Sequence, residues 1–100
     1  MDLTTLRCRI DRLDRQMVEL LNRRAELALL IGREKHRQGR PIHDPEREAA
    51  VITNLLAANR GPLGEESLSR IYRLIIRELR RLEAESSPES ASDRKGANTR

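Results

Sequence analysis

Residues 3–38, LTTLRCRIDRLDRQMVELLNRRAELALLIGREKHRQ, decide the fold. Apolar side chains recur at Leu6, Ile10, Leu13, Met17, Leu20, Leu27 and Ile31, in alternating steps of four and three. That spacing draws one stripe along a helix, the seam by which it packs along another helix. The seam position between Leu20 and Leu27 is held by Arg24. A guanidinium among aliphatic neighbours is costly unless negative charge meets it there. That charge belongs either to a nearby acid or to an anionic ligand held inside the bundle.

Asp2 or Thr4 can cap the start of this helix, and Gly39 followed by Arg40-Pro41 ends it. At 1.5 Å per residue it spans roughly 50 Å, long for a domain of this size. After a short link, Asp44-Pro45-Glu46 starts a second helix, with a capping acid, Pro at the first helical position and an acid in the first turn. It runs to about Ala58 with Val51, Ile52, Leu55 and Leu56 inward, and Asn59-Arg60-Gly61-Pro62 breaks it. A third helix begins near Glu65, carries Leu68, Ile71, Tyr72, Ile75, Ile76, Leu79 and Leu82, and frays after Glu85. Residues 86–100 lack apolar periodicity and read as a disordered tail, which leaves 1–85 as one helical domain.

The fold class is therefore all-α, one long and two medium helices, with no β-structure. With one Tyr and neither Phe nor Trp, the core must be aliphatic. The second and third helices together match the first in length, so a monomeric three-helix packing stays open. The preferred arrangement is a dimer in which each long seam is partly covered by its mate. The single Cys8 cannot form an intramolecular disulfide, and no segment reads as a signal peptide or membrane span, so the cytoplasm is the expected compartment. A net charge of +4 raises nucleic acid as a partner. Acids interleaved with the bases, and the lack of aromatics for base stacking, rank that reading last. No metal-ligand spacing or cofactor motif is present in the sequence.

Helical geometry sorts the remaining polar residues. Lys35 lies eleven residues after Arg24 and returns to nearly the same face, about 16 Å further on. Glu48 extends the inward stripe of the second helix, and Glu83, four after Leu79, does the same on the third. Four charged groups on three helices thus converge, either as a buried salt-bridge network or around a polar cavity for a small anion. Periodicity alone leans to the network, because charges at seam edges pair to set helix register. Arg7 is about 100° around and roughly 25 Å away from Arg24. It cannot share Arg24's pocket on a straight helix, although in an antiparallel dimer it can reach the partner's. Tyr72 reads as core, Cys8 as a packing or surface residue, and His36 and His43 as solvated.

The order of Leu6-Arg7, Ile10, Leu13-Asp14, Leu20 through Ala28, Gly32-Arg33-Glu34-Lys35, Pro41 through Glu48 and Ile71 through Ile76 resembles the all-helical chorismate mutases. The likeness runs from about Leu3 to Glu83 and includes the type fused to other shikimate-pathway enzymes. It implies an intertwined homodimer that rearranges chorismate to prephenate, in phenylalanine and tyrosine biosynthesis, without metal or cofactor. Carried over by position, Arg7 is donated in trans and Arg24 is the second carboxylate clamp. Lys35 contacts a carboxylate and the ether oxygen. Glu48 and the backbone at Asp44 hold the substrate hydroxyl, and Arg47 lines the site. The resemblance also implies a shikimate-pathway enzyme as a candidate partner, and it turns the expectation from network to cavity.

Two positions depart from the family pattern. Glu83 stands where many members have Gln, and an ionised carboxylate cannot donate to the ether oxygen. The expectation is that Glu83 works protonated, burial favouring the neutral acid and Lys35 opposing it. Leu79 stands where some members have Ser, which removes one contact to a carboxylate. Two rival functions remain at this level: an isochorismate pyruvate lyase of the same fold, and a non-catalytic helical docking or regulatory module. The presence of Arg7, Arg24, Lys35, Arg47 and Glu48 together argues against the second, since a docking helix needs no inward-facing cations.

Overall fold

The computed structural model describes residues 1–86, and in these the chain forms α1 (Leu3–Gln38), α2 (Pro45–Ala58) and α3 (Glu65–Glu85), with no strand. The helix ends follow the local chemistry. Asp2 caps α1 by accepting from the Thr5 N–H at 2.7 Å, and that bond holds its carboxyl below the ordinary carboxylate range. Gly39 takes the left-handed conformation, φ 67°, which only glycine adopts without strain. Around it, Arg40 N–H donates to Lys35 O and Gly39 N–H to His36 O, so the chain turns back across the end of α1. Asp44 caps α2 through the Arg47 N–H, with Pro45 in the first turn.

In the last turn of α1, hydrogen bonds from Arg37 and then Gln38 pull the Glu34 carboxyl down to about 2. Its folded value lies below the ordinary 4.5, so the support it gives is complete above pH 4.5 and disappears as pH falls through about 2. The group is fully exposed, so salt screens the effect.

Packing is confined to the carboxyl-terminal half of α1. The buried apolar side chains are Ala28 of α1, Ile52 of α2, and Ile76 and Leu79 of α3. α3 crosses α1 at buried Gly32, and the approach there is backbone to backbone. A Cβ on Gly32 would lie 1.9 Å from Ser86 Oγ, 2.5 Å from Glu83 O and 2.8 Å from Glu83 Cα. Ser86, expected to open the disordered tail, instead caps α3 and is 1% exposed, its hydroxyl donating to Glu83 O at 2.5 Å. Residues 87–100 of that expected tail lie outside the described residues.

The other half of α1 has no cover. Residues 1–23 are exposed throughout, and seam residues Leu6, Ile10, Leu13, Met17 and Leu20 are each 43–58% exposed. The chain measures 52 × 37 × 15 Å with a radius of gyration of 16.9 Å, against about 13 Å for a compact chain of this length. A self-covering three-helix monomer is thus not what the chain forms: α2 and α3 leave the amino-terminal seam open. No helix among the described residues is long and apolar enough to cross a membrane.

The Gly32 crossing generates a stability prediction. Gly32→Ala gains up to about 1 kcal/mol of helix propensity. It also drives a methyl into the Glu83 backbone, and overpacking costs about 1–3 kcal/mol. Because the obstacle is main chain and cannot rotate away, the second effect wins, and chemical denaturation should show a net loss of about 1–2 kcal/mol. Equal or greater stability would mean that the two helices slide apart freely.

Candidate active site

The crossing of α1 and α3 and the loop into α2 enclose a cleft of ≈ 360 Å³. Its aliphatic wall is Leu27, Ala28, Ile31, Ile42, Val51, Ile76 and Leu79. Its polar lining is Arg24, Lys35, Asp44, Arg47, Glu48 and Glu83. These are six of the seven residues singled out from sequence. The seventh, Arg7, lies on the uncovered part of α1 and does not line the cleft.

Each side chain reaches the cleft for a local reason. Lys35 stands on the last turn of α1, where the Gly39 turn brings the following loop back over it. Its Nζ donates to Ile42 O at 2.8 Å and to Glu83 Oε1 at 3.0 Å. Both members of that ion pair are more than four-fifths buried. An ammonium has three donors, so one stays free for a further acceptor in the cleft. Asp44 lines the cleft while its Oδ1 accepts from the Arg47 N–H at 3.1 Å and its carbonyl from the Glu48 N–H at 3.0 Å, the cap of α2. Arg47, one turn into α2, is exposed at the rim.

Arg24 meets no acid among the described residues. Its guanidinium lies 5.5 Å from the centroid of the Tyr72 ring, a cation–π contact. Tyr72, expected as core, is therefore half-buried support for a cation. The ring holds Arg24 without neutralising it, and the planar donor fork remains suited to a carboxylate.

The charges are thus neither wholly a network nor wholly a vacant cavity. Lys35 and Glu83 pair across α1 and α3. Glu48 pairs with Arg80 of α3, whose Nη1 lies 2.8 Å from Oε1 and 2.7 Å from Oε2. His43, expected to be solvated, is 58% exposed yet brings Nε2 to 3.6 Å from Glu48 Oε1. His36 departs further from that expectation: it is half-buried, and its Nε2 is buried without a hydrogen-bond partner. Leu79 is buried and lines the cleft as hydrocarbon. Cys8 is exposed. Among the described residues no group of acids, histidines or cysteines is arranged to hold a metal.

Sequence reasoning missed Arg80 and the role of Tyr72. Arg80 is one of five arginines on α3, at positions 70, 73, 77, 80 and 81, and spacing alone does not separate it from the others. Tyr72 had a detectable signal, the stacking of an aromatic against the arginine that interrupts the seam.

The family described as chorismate mutase type II matches residues 6–84. A bifunctional chorismate mutase/prephenate dehydratase of Aquifex aeolicus is 43% identical over 79 residues, covering 75% of this chain and 22% of that protein. The T-protein of Haemophilus influenzae is 36% identical over 77 residues, covering 76% of this chain and 20% of that protein. The chain thus spans about a fifth of the length of these curated relatives. A solved chorismate mutase (form II) from Thermus thermophilus superposes with a TM-score of 0.80 at 33% identity, covering 81% of this chain and 92% of that one. By the family match along 6–84, and by these likenesses in sequence and fold, the chain belongs to the type II chorismate mutase family.

Proposed function

We propose that residues 1–85 form a chorismate mutase domain that rearranges chorismate to prephenate as a homodimer. The observation that carries this reading is an aliphatic cleft lined both by Arg24, which meets no acid among the described residues, and by a Lys35 ammonium with one unused donor. A dicarboxylate fits such a lining. The reaction is intramolecular and pericyclic, so it needs no nucleophile, metal or cofactor. What a protein supplies is conformation and charge. Cationic clamps select the compact reactive conformer, which is catalysis by orientation. As the carbon–oxygen bond breaks, negative charge grows on the ether oxygen, and an aimed ammonium stabilises that charge more than the ground state.

In this reading Arg24 grips one carboxylate, and Lys35 contacts a carboxylate and the ether oxygen. Glu48 and the Asp44 main chain hold the hydroxyl, and Arg47 closes the rim. Arg7 comes from the second chain. The uncovered seam from Leu6 to Leu20 supports that dimer, since a row of apolar side chains on a 36-residue helix is left without a mate. The fusion of such domains in longer relatives supports a shikimate-pathway enzyme as partner, and the cytoplasm as the place of action.

Glu83 is the residue that tunes the site. In its ionised form it accepts from Lys35 and presents negative charge toward the ether oxygen. In its neutral form it can donate there. Glu83→Gln supplies a permanent donor at that position and should raise kcat for chorismate; a variant no faster than the parent would sink the donor role.

Incubation with chorismate should give prephenate and no free pyruvate. Pyruvate from isochorismate instead would assign the chain to the lyase chemistry of this fold. The trans arrangement has its own test. Arg7→Ala and Lys35→Ala should each lose at least about a hundredfold in kcat/KM. Mixed as equal parts and allowed to exchange, they should recover about a quarter of the parent's sites, because half the dimers then carry one intact site of two. No recovery in exchanged dimers would place Arg7 outside the site.

A further inference from the structure

We infer that Arg80 is a positioning residue for the reaction proposed above, fixing the Glu48 carboxylate from behind so that it meets the ring hydroxyl of the substrate. The inference rests on that mutase reading and adds a residue that the sequence did not mark.

Glu48 is shared between two clefts. One is the candidate site. The other, of ≈ 740 Å³, lies between α2 and α3 on the far side of Ile76. Arg80 lines only the second cleft, so it touches Glu48 from the side opposite the proposed substrate. Its single nitrogen Nη1 donates to both carboxylate oxygens, at 2.8 and 2.7 Å. An ionised carboxylate has about four acceptor positions, so those not taken by Arg80 remain for a ligand hydroxyl. The pair joins α2 to α3 with both side chains about three-quarters buried, where charge-assisted bonds hold geometry best.

The neighbours do not duplicate this function. Arg70 and Arg77 make no side-chain bond among the described residues, and Arg73 bonds only Ser69 of its own helix. His43 approaches the same carboxylate, but at 3.6 Å and largely exposed it restrains little. Without Arg80, Glu48 regains freedom about its three torsions, and the substrate must order it on binding. The hydroxyl neither forms nor breaks a bond, and the charge that develops falls on the ether oxygen, so this contact is nearly equal in ground and transition states. Its loss falls on KM rather than kcat.

The test compares chorismate with an analogue lacking the ring hydroxyl, using the full chain. Arg80→Met should raise KM for chorismate about tenfold, with kcat within about threefold. For the deoxy analogue KM should not change, because there is no hydroxyl for Glu48 to hold. Arg80→Lys should recover much of the loss, since one nitrogen makes both contacts and an ammonium can replace it. If Arg80→Met does not fold, Arg80→Gln carries the same comparison. An equal KM increase for both substrates makes Arg80 a purely structural residue and overturns the inference, as does an unchanged KM with lowered stability. Absence of prephenate from the unaltered chain overturns the mutase reading itself, a result readable apart from any variant.

Discussion

The close approach of α1 and α3 at Gly32 is the constraint on which the rest depends. Only hydrogen occupies the space between that residue and the Glu83 backbone, so the two helices cross at main-chain distance. Lys35 follows Gly32 by one turn, and Glu83 is itself the residue in contact. The crossing therefore sets the Lys35–Glu83 pair directly, without adjustment through intervening side chains. Ser86 closes the same junction by returning its hydroxyl to Glu83 O, so the end of α3 is fastened where the site needs it. With four buried apolar side chains among the described residues, a fixed crossing does more for precision than a large core can.

The opposite end of α1 shows the other side of this economy. A single chain builds the cleft floor and the Lys35, Glu48 and Glu83 positions with its three helices, yet leaves half of its longest element bare. Most helical stability in a protein comes from burying an apolar face, and this segment buries none within its own chain. The geometry that exposes the seam also separates Arg7 from Arg24. In the reading proposed above, one partner helix would both cover the seam and bring an Arg7 to the cleft.

The fold was legible to the residue at most helix boundaries, because caps and breakers are local: Asp2, Gly39, Asp44-Pro45 and the Asn59–Pro62 break act through neighbouring main chain. The convergence of Arg24, Lys35, Glu48 and Glu83 was legible from period alone, since each sits on a stripe whose direction packing determines. What stayed hidden were pairings that depend on the relative placement of two helices. Glu48 meets Arg80 rather than Lys35 because of how α2 leans on α3, and nothing along either helix states that angle. Tyr72 and His36 were misread for the same reason: helical spacing gives the face a residue occupies, not the atom it meets.

The stack of Arg24 on Tyr72 bears on how the cleft meets a ligand in time. Lys35 arrives already engaged by Glu83, so at long range its charge is largely cancelled. Half-buried Arg24 and exposed Arg47 line the cleft and meet no acid among the described residues. An incoming anion is drawn first by these two guanidiniums, and only at close range does it compete for the ammonium. Added salt then slows capture far more than it alters the step after capture, because screening acts on the exposed charges and hardly on the buried pair.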